Sequence, residues 1–145
     1  VSRYAETRAA LLARLATATG VPDTTQWAEE NVVFEPTIGE AWLAVRFSPG
    51  EERLITMPAQ DGWKELPGVL RILMHRPLRE AVATADTVAQ AILDSFAPGT
   101  TLTNGSTTIH IDVSRRYSGG RDIDDSWYTV PIDIRWHVRT INTLT

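Results

Sequence analysis

The 145-residue chain contains no cysteine. That absence removes disulfides, thiolate zinc sites, iron–sulfur clusters and cysteine nucleophiles together. It leaves the redox setting open, because a cysteine-free chain suits a reducing cytoplasm and equally a particle that later meets oxidising surroundings. Histidine is scarce, at three residues, so little is available for an imidazole-built metal centre. No apolar run approaches the roughly 18 residues of a membrane-spanning helix. Nor does a basic stretch followed by an apolar core mark a secretory leader; the sequence begins at Val1. Excess positive charge is missing too. A net charge of −4 argues against tight sequence-independent binding to duplex DNA, whose footprint is a basic stripe.

What is present is a globular composition, 43% hydrophobic and 22% charged. A chain of this length buries about 68–70% of its unfolded surface, enough for a core without metal or disulfide staples. One domain spanning 1–145 is expected. In "RYAETRAALLARLATATG", Tyr4, Arg8, Leu11, Leu12 and Leu15 recur at helical spacing, and Gly20 and Pro22 end the helix. "WAEENVVFEP" leads into a short strand expected over Val32 to Phe34. "GEAWLAVRFSP" then places Leu43, Val45 and Phe47 on one face and Trp42, Ala44 and Arg46 on the other, closed by Pro49-Gly50. Residues 50–68 are punctuated by Pro58, Gly62, Pro67 and Gly68, the pattern of a long loop or extended arm.

"GVLRILMHRP" reads as a strand stopped at Pro77. "LREAVATADTVAQAILDSF" reads as a second helix, its apolar stripe formed by Leu78, Val82, Ala85, Val88, Ala89, Ile92 and Phe96. Pro98-Gly99 ends it, and Asn104-Gly105 supplies a type I′ hairpin turn. Beyond the turn Ile109, Ile111 and Val113 alternate with His110, Asp112 and Ser114. The polar loop "YSGGRDIDDS" precedes the best-patterned stretch, "WYTVPIDIRWHV". There Tyr128, Val130, Ile132, Ile134, Trp136 and Val138 share one face, while Thr129, Pro131, Asp133, Arg135 and His137 share the other. Pro131 cannot donate to a ladder, so a bulge or an edge position is expected around it. The order of elements predicts an α+β fold: a mostly antiparallel sheet with two helices packed on one face.

Chemistry is sparse. His110, His137, Asp112 and Asp133 fall on the polar faces of strands that can pair. The two histidines read as solvent-facing sheet residues, since metal ligands come with a tighter ligand count and a second shell. His75, at a strand end before Arg76-Pro77, reads as a surface residue. "RDIDDS" lacks the glycine and distant glutamate of a calcium loop and reads as solvated. The glycines of "SGG" and "NG" read as turn glycines rather than a phosphate cradle, and Glu29-Glu30 read as capping a turn. No nucleophile elbow or zincin motif is present. Neither an enzyme nor a cofactor is expected.

The five tryptophans are more informative. Trp136 alone falls plainly on an inward strand face. Trp42 and Trp127 fall outward by alternation, and Trp63 lies in the punctuated segment. Large aromatics on outer surfaces are the anchors of protein–protein interfaces. The candidate assembly residues are Trp42, Trp63, Leu66, Arg121, Asp122, Asp124 and Trp127.

The order of these stretches, from "RAALLARL" through "WAEENVVFEP", "GEAWLAVRFSP", "GVLRILMHRP", "ADTVAQAILDSF" and "PGTTLTNGSTTIHI" to "SWYTVPIDIRW", resembles the tail terminator (tail completion) proteins of long-tailed phages. The likeness runs from about Arg3 to Val138. It implies a virion structural protein, assembled in the host cytoplasm, that forms a homo-oligomeric ring, usually a hexamer. Such a ring caps the tail tube, stops its polymerisation and joins the tail to the connector or stopper of the head. The implied partners are the tube protein and that connector, with DNA passing through the lumen without specific binding and no membrane involved. The family carries no catalytic residue to transfer. Two other readings stay open: another head–tail junction component or tube subunit of related fold, and, more remotely, a small metal- or ligand-binding domain.

Overall fold

A computed structural model describes residues 3–30, 32–55, 62–121 and 127–141. Helix α1 (Arg3–Ala16) is followed by a 3-10 turn (Thr24–Gln26) and strands β1 (Trp27–Glu29), β2 (Trp42–Pro49), β3 (Arg53–Leu54) and β4 (Trp63–Pro77). Helix α2 (Val82–Ser95) precedes β5 (Thr101–Asn104), β6 (Thr107–Arg116), β7 (Gly120–Arg121) and β8 (Trp127–Ile141). The strands form one mixed sheet in the order β1-β2-β4-β8-β6-β5, with β3 beside β4 and β7 beside β8. β1 runs parallel to β2. The pairings β2–β4, β3–β4, β4–β8, β5–β6, β6–β8 and β7–β8 are antiparallel. The architecture is α+β, as expected.

β4 and β8 are the axis of the sheet: each is 15 residues long, and they pair from Trp63↔Ile141 to Pro77↔Trp127. Their even-numbered residues Leu66, Leu70, Ile72, Met74, Val130, Ile132, Ile134, Trp136 and Val138 are buried in one core cluster. From the helices, Leu11, Leu15, Ala85, Val88, Ala89, Ile92 and Phe96 complete it. Each fully buried Leu, Ile, Val or Met side chain contributes about 1.5–3 kcal/mol, so this single-sided core carries the fold. The helix stripes are those the spacing predicts, apart from Leu78, which precedes α2 in a turn, and Val82, which is 52% exposed in its first turn.

Polar contacts fix how the helices sit. Arg14 Nε donates to the carbonyl of Ser95 at 2.9 Å, satisfying an orphan acceptor at the negative end of α2. Asn104 Nδ2 donates to the Glu6 carbonyl at 2.9 Å, and Thr107 Oγ1 bonds the Glu6 carboxylate, so the β5–β6 hairpin holds the start of α1. Asn104 is thus the last strand residue. The loop is Gly105-Ser106, with Gly105 at φ +61°, one position later than an Asn-Gly-centred turn.

Four expectations are corrected. Val32 to Phe34 is not a strand; Trp27–Glu29 takes that edge, anchored where Trp27 Nε1 donates to the Pro22 carbonyl at 2.9 Å. Glu29 and Glu30 do not cap a turn. They grip Arg8 of α1 at 3.3 and 2.6 Å, and Glu30 also accepts the Phe47 backbone N–H. Burial works to lower the Arg8 pKa, but its bonds to Glu30 and Glu29 outweigh this and raise it. Residues 63–68 are not an arm; they open β4. Pro67 is tolerated there because a strand residue's N and O point to the same side. Its carbonyl accepts from Gly50 N at 2.7 Å, just beyond Pro49, the end of β2. The missing N–H therefore faces no ladder.

The same logic settles Pro131, which lies neither at an edge nor in a bulge. β8 is flanked by β4 and β6. The Pro131 carbonyl accepts from Tyr117 N at 2.9 Å, so its donor-less nitrogen faces the gap between the end of β6 at Arg116 and the start of β7 at Gly120. A bulge does occur, but in β6 between Ile111 and Val113. It flips the alternation beyond it, so Val113 joins the outer face opposite Arg135 and Arg116 turns to the helix side, 2.6 Å from Asp86 of α2.

Candidate assembly surfaces

The odd-numbered residues of β4 and β8 face away from the helices, and the register arranges them in rows across the sheet. The row nearest the Pro77 end is aromatic. Trp42 lies opposite His75, and His75 opposite Thr129. The Trp42 and His75 rings stack with centroids 3.9 Å apart, and Nδ1 of His75 is 2.9 Å from Thr129 Oγ1. Trp127 meets Trp42 edge-on at 6.1 Å, and Phe34, from the loop before β2, closes on Trp42 at 5.4 Å. Alternation correctly places Trp42 and Trp127 on the outer face, but there they bury one another. Trp127 is 6% exposed and His75 8%, so His75 is not the surface residue its position suggests.

Midway along the strands the row is Arg46, Arg71, Asp133, Arg115, each opposite the next on β2, β4, β8 and β6. Arg71 grips Asp133 with two bonds of 2.9 and 3.1 Å. Those bonds hold the Asp133 carboxyl below the usual carboxylate range against the opposing effect of its burial. Arg46 and Arg115 make no ion pair among the described residues, and Arg135 stands exposed in the adjoining row opposite Val69 and Val113. Like charges directly opposite each other, as at Arg46 and Arg71, work against a sheet. Nothing in the packing of the monomer requires them. The outer face is therefore locally basic in a chain of net charge −4.

Toward the Trp63 end, His110 and His137 stack at 4.9 Å, and Nδ1 of His137 lies 2.7 Å from Asp112 at the bulge. Asp133 is spoken for by Arg71, two rows away. Among the described residues no group of three or more His, Asp or Glu is placed to hold a metal. An open hollow of about 380 Å³ between the end of α1 and the start of α2 is lined by Thr19, Gly20, Ala83, Thr84, Thr87 and Val88. It offers hydroxyls and methyls but no acid, base or nucleophile set.

Among the described residues, two apolar surfaces stand exposed. One is the loop over residues 32–40, where Val33 is 96% and Ile38 93% exposed, with Val32 at 61%. The other lies at the opposite end of β4, where Leu54, Ile55 and Trp63 are 43%, 38% and 46% exposed. The Trp63-to-His75 stretch of strand, roughly 40 Å along the chain, runs between them. Glu65, beside this second surface, is held below its usual range by its bond to Arg53, against its burial.

The sequence-derived candidates therefore divide. Trp63 and Arg121 are exposed, Trp42 is half-buried in the aromatic row, and Trp127 is buried in it. Leu66 is 4% exposed and belongs to the helix-side core. Asp122 and Asp124 lie outside the described residues. The structure does not gather the candidates into one patch, for Trp63 and the Trp42–Trp127 pair sit at opposite ends of the sheet. Sequence reading passed over the 32–40 loop because its apolar residues looked like a strand. It passed over the arginine row because the row exists only in the register.

The described residues thus form a mixed sheet with two helices and expose two separate apolar surfaces. The family model described as "Phage tail terminator protein" matches residues 6–136, and the chain belongs to that family. Its members are structural proteins of phage tails, which places this chain among tail components that act with other tail components. One similar solved structure has 23% sequence identity and a TM-score of 0.68, covers 92% of this chain and 94% of its own, and shares the fold. No protein of curated function matches the chain. Among the described residues no helix is long and apolar enough to cross a membrane.

Proposed function

We propose that copies of this chain close into a ring, six in number by analogy with the family, that seats on the end of the tail tube. There it stops tube polymerisation and presents its far surface to the connector or stopper of the head. DNA passes through the lumen without specific binding. The site of action is the head–tail junction of the virion, reached by assembly in the host cytoplasm, and no catalysis is involved.

Membership of the tail terminator family across residues 6–136 carries the reading. The geometry supports it. A ring subunit that also meets other tail components needs apolar surface beyond its own core, and the chain exposes unlike surfaces of that kind at opposite ends of its longest strands. Unlike surfaces on one subunit also favour head-to-tail contacts, which close as rings when the rotation permits. Purified chain added to polymerising tube subunits and viewed by electron microscopy tests the proposal. The expected result is tubes of arrested length bearing one ring at one end. A chain that instead stacked into open-ended tubes is a tube subunit, and tubes that elongate unchanged with bare ends would refute the reading.

A further inference from the structure

The 32–40 loop has the composition of a contact segment and closes only in a short turn at Thr37–Glu40, with Gly39 at φ +89°. Of its residues only Phe34 is held down, against Trp42. Val33 and Ile38 stand almost fully in solvent, and Glu35 between them and Glu40 beyond them are exposed. The segment contains no basic residue. It has two backbone hydrogen bonds, Val32 N to Glu29 O and Glu40 N to Thr37 O, at 3.3 and 3.1 Å. Large β-branched side chains at this exposure cost solvation that a partner would recover.

The outer sheet face shows the complementary chemistry. Arg46 and Arg115 project from it without ion-pair partners among the described residues, on either side of the Arg71–Asp133 pair. Arg135 stands exposed in the next row; half-buried Val113 lies opposite Arg135, and half-buried Leu73 lies in the row toward the aromatic end. An acidic, apolar arm and a basic, partly apolar face occur on the same chain. The arm does not lie on its own face: Phe34 holds it at the aromatic end, and Val33 and Ile38 stand in solvent.

We propose that the 32–40 arm docks on the outer sheet face of a second copy of this chain, with Glu35 and Glu40 meeting Arg46 and Arg115, and Val33 and Ile38 covering the apolar positions Leu73 and Val113 in the rows that flank the arginines. The contact is head-to-tail: each copy gives an arm and receives one. It deepens the ring reading above by naming the surface through which neighbours join, and rests on that reading for closure of the ring. Charge pairing across the contact sets register and encounter rate and makes association sensitive to salt.

Charge reversal tests it on the full chain. Light scattering over a concentration series would compare the wild type, an arm variant (Glu35→Arg with Glu40→Arg), a face variant (Arg46→Glu with Arg115→Glu) and a chain carrying all four changes. Circular dichroism and thermal melts would confirm that each is folded; the altered side chains are exposed. The proposal expects wild-type association to weaken with salt and each pair of reversals to weaken it by ~10-fold or more. Association should return in the four-fold variant and in an equimolar mixture of arm and face variants. A wild type that stays monomeric throughout, or association indifferent to either reversal, overturns the proposal. Reversals that spare self-association but abolish binding to tube subunits assign the arm to the tube and overturn it as well. In each of those cases capping of tube ends still decides the ring terminator reading separately.

Discussion

The indole of Trp136 lies across Gly68, its direct partner on the neighbouring strand: a Cβ at residue 68 would stand 2.2 Å from Cζ2 and 2.7 Å from Cε2. The same indole stacks on Phe47 of β2 at 5.2 Å with the planes 5° apart. Glycine in mid-strand weakens a sheet by itself, and an aromatic laid over it from the next strand restores the lost packing. Gly68 is thus a seat for Trp136, and the pair joins β2, β4 and β8 at the helix-side core.

Gly68→Ala should therefore destabilise the chain by about 1–3 kcal/mol through overpacking, although its backbone has no left-handed strain to relieve. Urea melts provide the measure. In a Trp136→Leu background, itself destabilised, the added cost of Gly68→Ala should shrink markedly. Equal costs in both backgrounds would mean that the indole is not what residue 68 accommodates.

The two glutamates after β1 should not be equivalent. Glu30 serves both Arg8 and the Phe47 N–H, whereas Glu29 serves Arg8 alone at the longer distance. Glu30→Ala should cost about 1–2 kcal/mol, since it leaves a half-buried guanidinium and a backbone donor unmet. Glu29→Ala should cost less than about 1 kcal/mol. Thermal melts of the two variants distinguish them, and the reverse order would contradict the assigned roles.

Acid should weaken the fold through named groups. Bonding to Arg71 lowers Asp133, bonding to Arg53 lowers Glu65, and bonding to Lys64 lowers Glu52, each against some opposing burial. A folded-state pKa below the unfolded one means that the unfolded chain binds protons first, so stability rises with pH across that window. Their contribution is complete above the ordinary carboxylate range of about 4 and is lost as pH falls through the depressed folded values. Denaturation midpoints taken between neutral pH and strong acid should fall below about pH 4. Asp133→Asn should flatten part of that fall, and an unchanged profile would remove Asp133 from the account.

Trp63 and Trp42 should separate folding from assembly. Trp63 is 46% exposed at the start of β4, and Trp63→Ala should cost under about 1 kcal/mol of folding. If it anchors a partner, the same change should weaken assembly by about 2 kcal/mol or more. Trp42 stacks on His75 and holds Phe34, so Trp42→Ala should cost roughly 2–4 kcal/mol of folding. Paired melts and binding measurements decide, and parallel losses at Trp63 would make it a packing residue.

Much of the fold was legible because the periodicities are clean. The alternation from Tyr128 to Val138 names the core face of β8, and the stripes of α1 and α2 name the residues that seal it. The misses share a cause, which is partner geometry. Pro67-Gly68 reads as a breaker until it is known that Pro67 points its missing donor past the end of β2 and that Gly68 lies under Trp136. The β6 bulge is invisible in a run that keeps alternating through Val113. Trp127 falls on the outer face as alternation requires, yet is buried by Trp42 and its neighbours from other strands. For the surfaces, single aromatics could be flagged from the chain. The arginine row could not, because Arg46, Arg71 and Arg115 are far apart in sequence and adjacent only through the sheet.

The central claim is that this chain ends the tail tube and permits its joining to the head. The most direct measurement is tail length and head attachment, by electron microscopy, in particles assembled with and without the chain. Without it, the account predicts tails of excessive and uneven length that lack heads, with normal length and joining restored when the chain is supplied. Tails of normal length joined to heads in its absence would contradict the account.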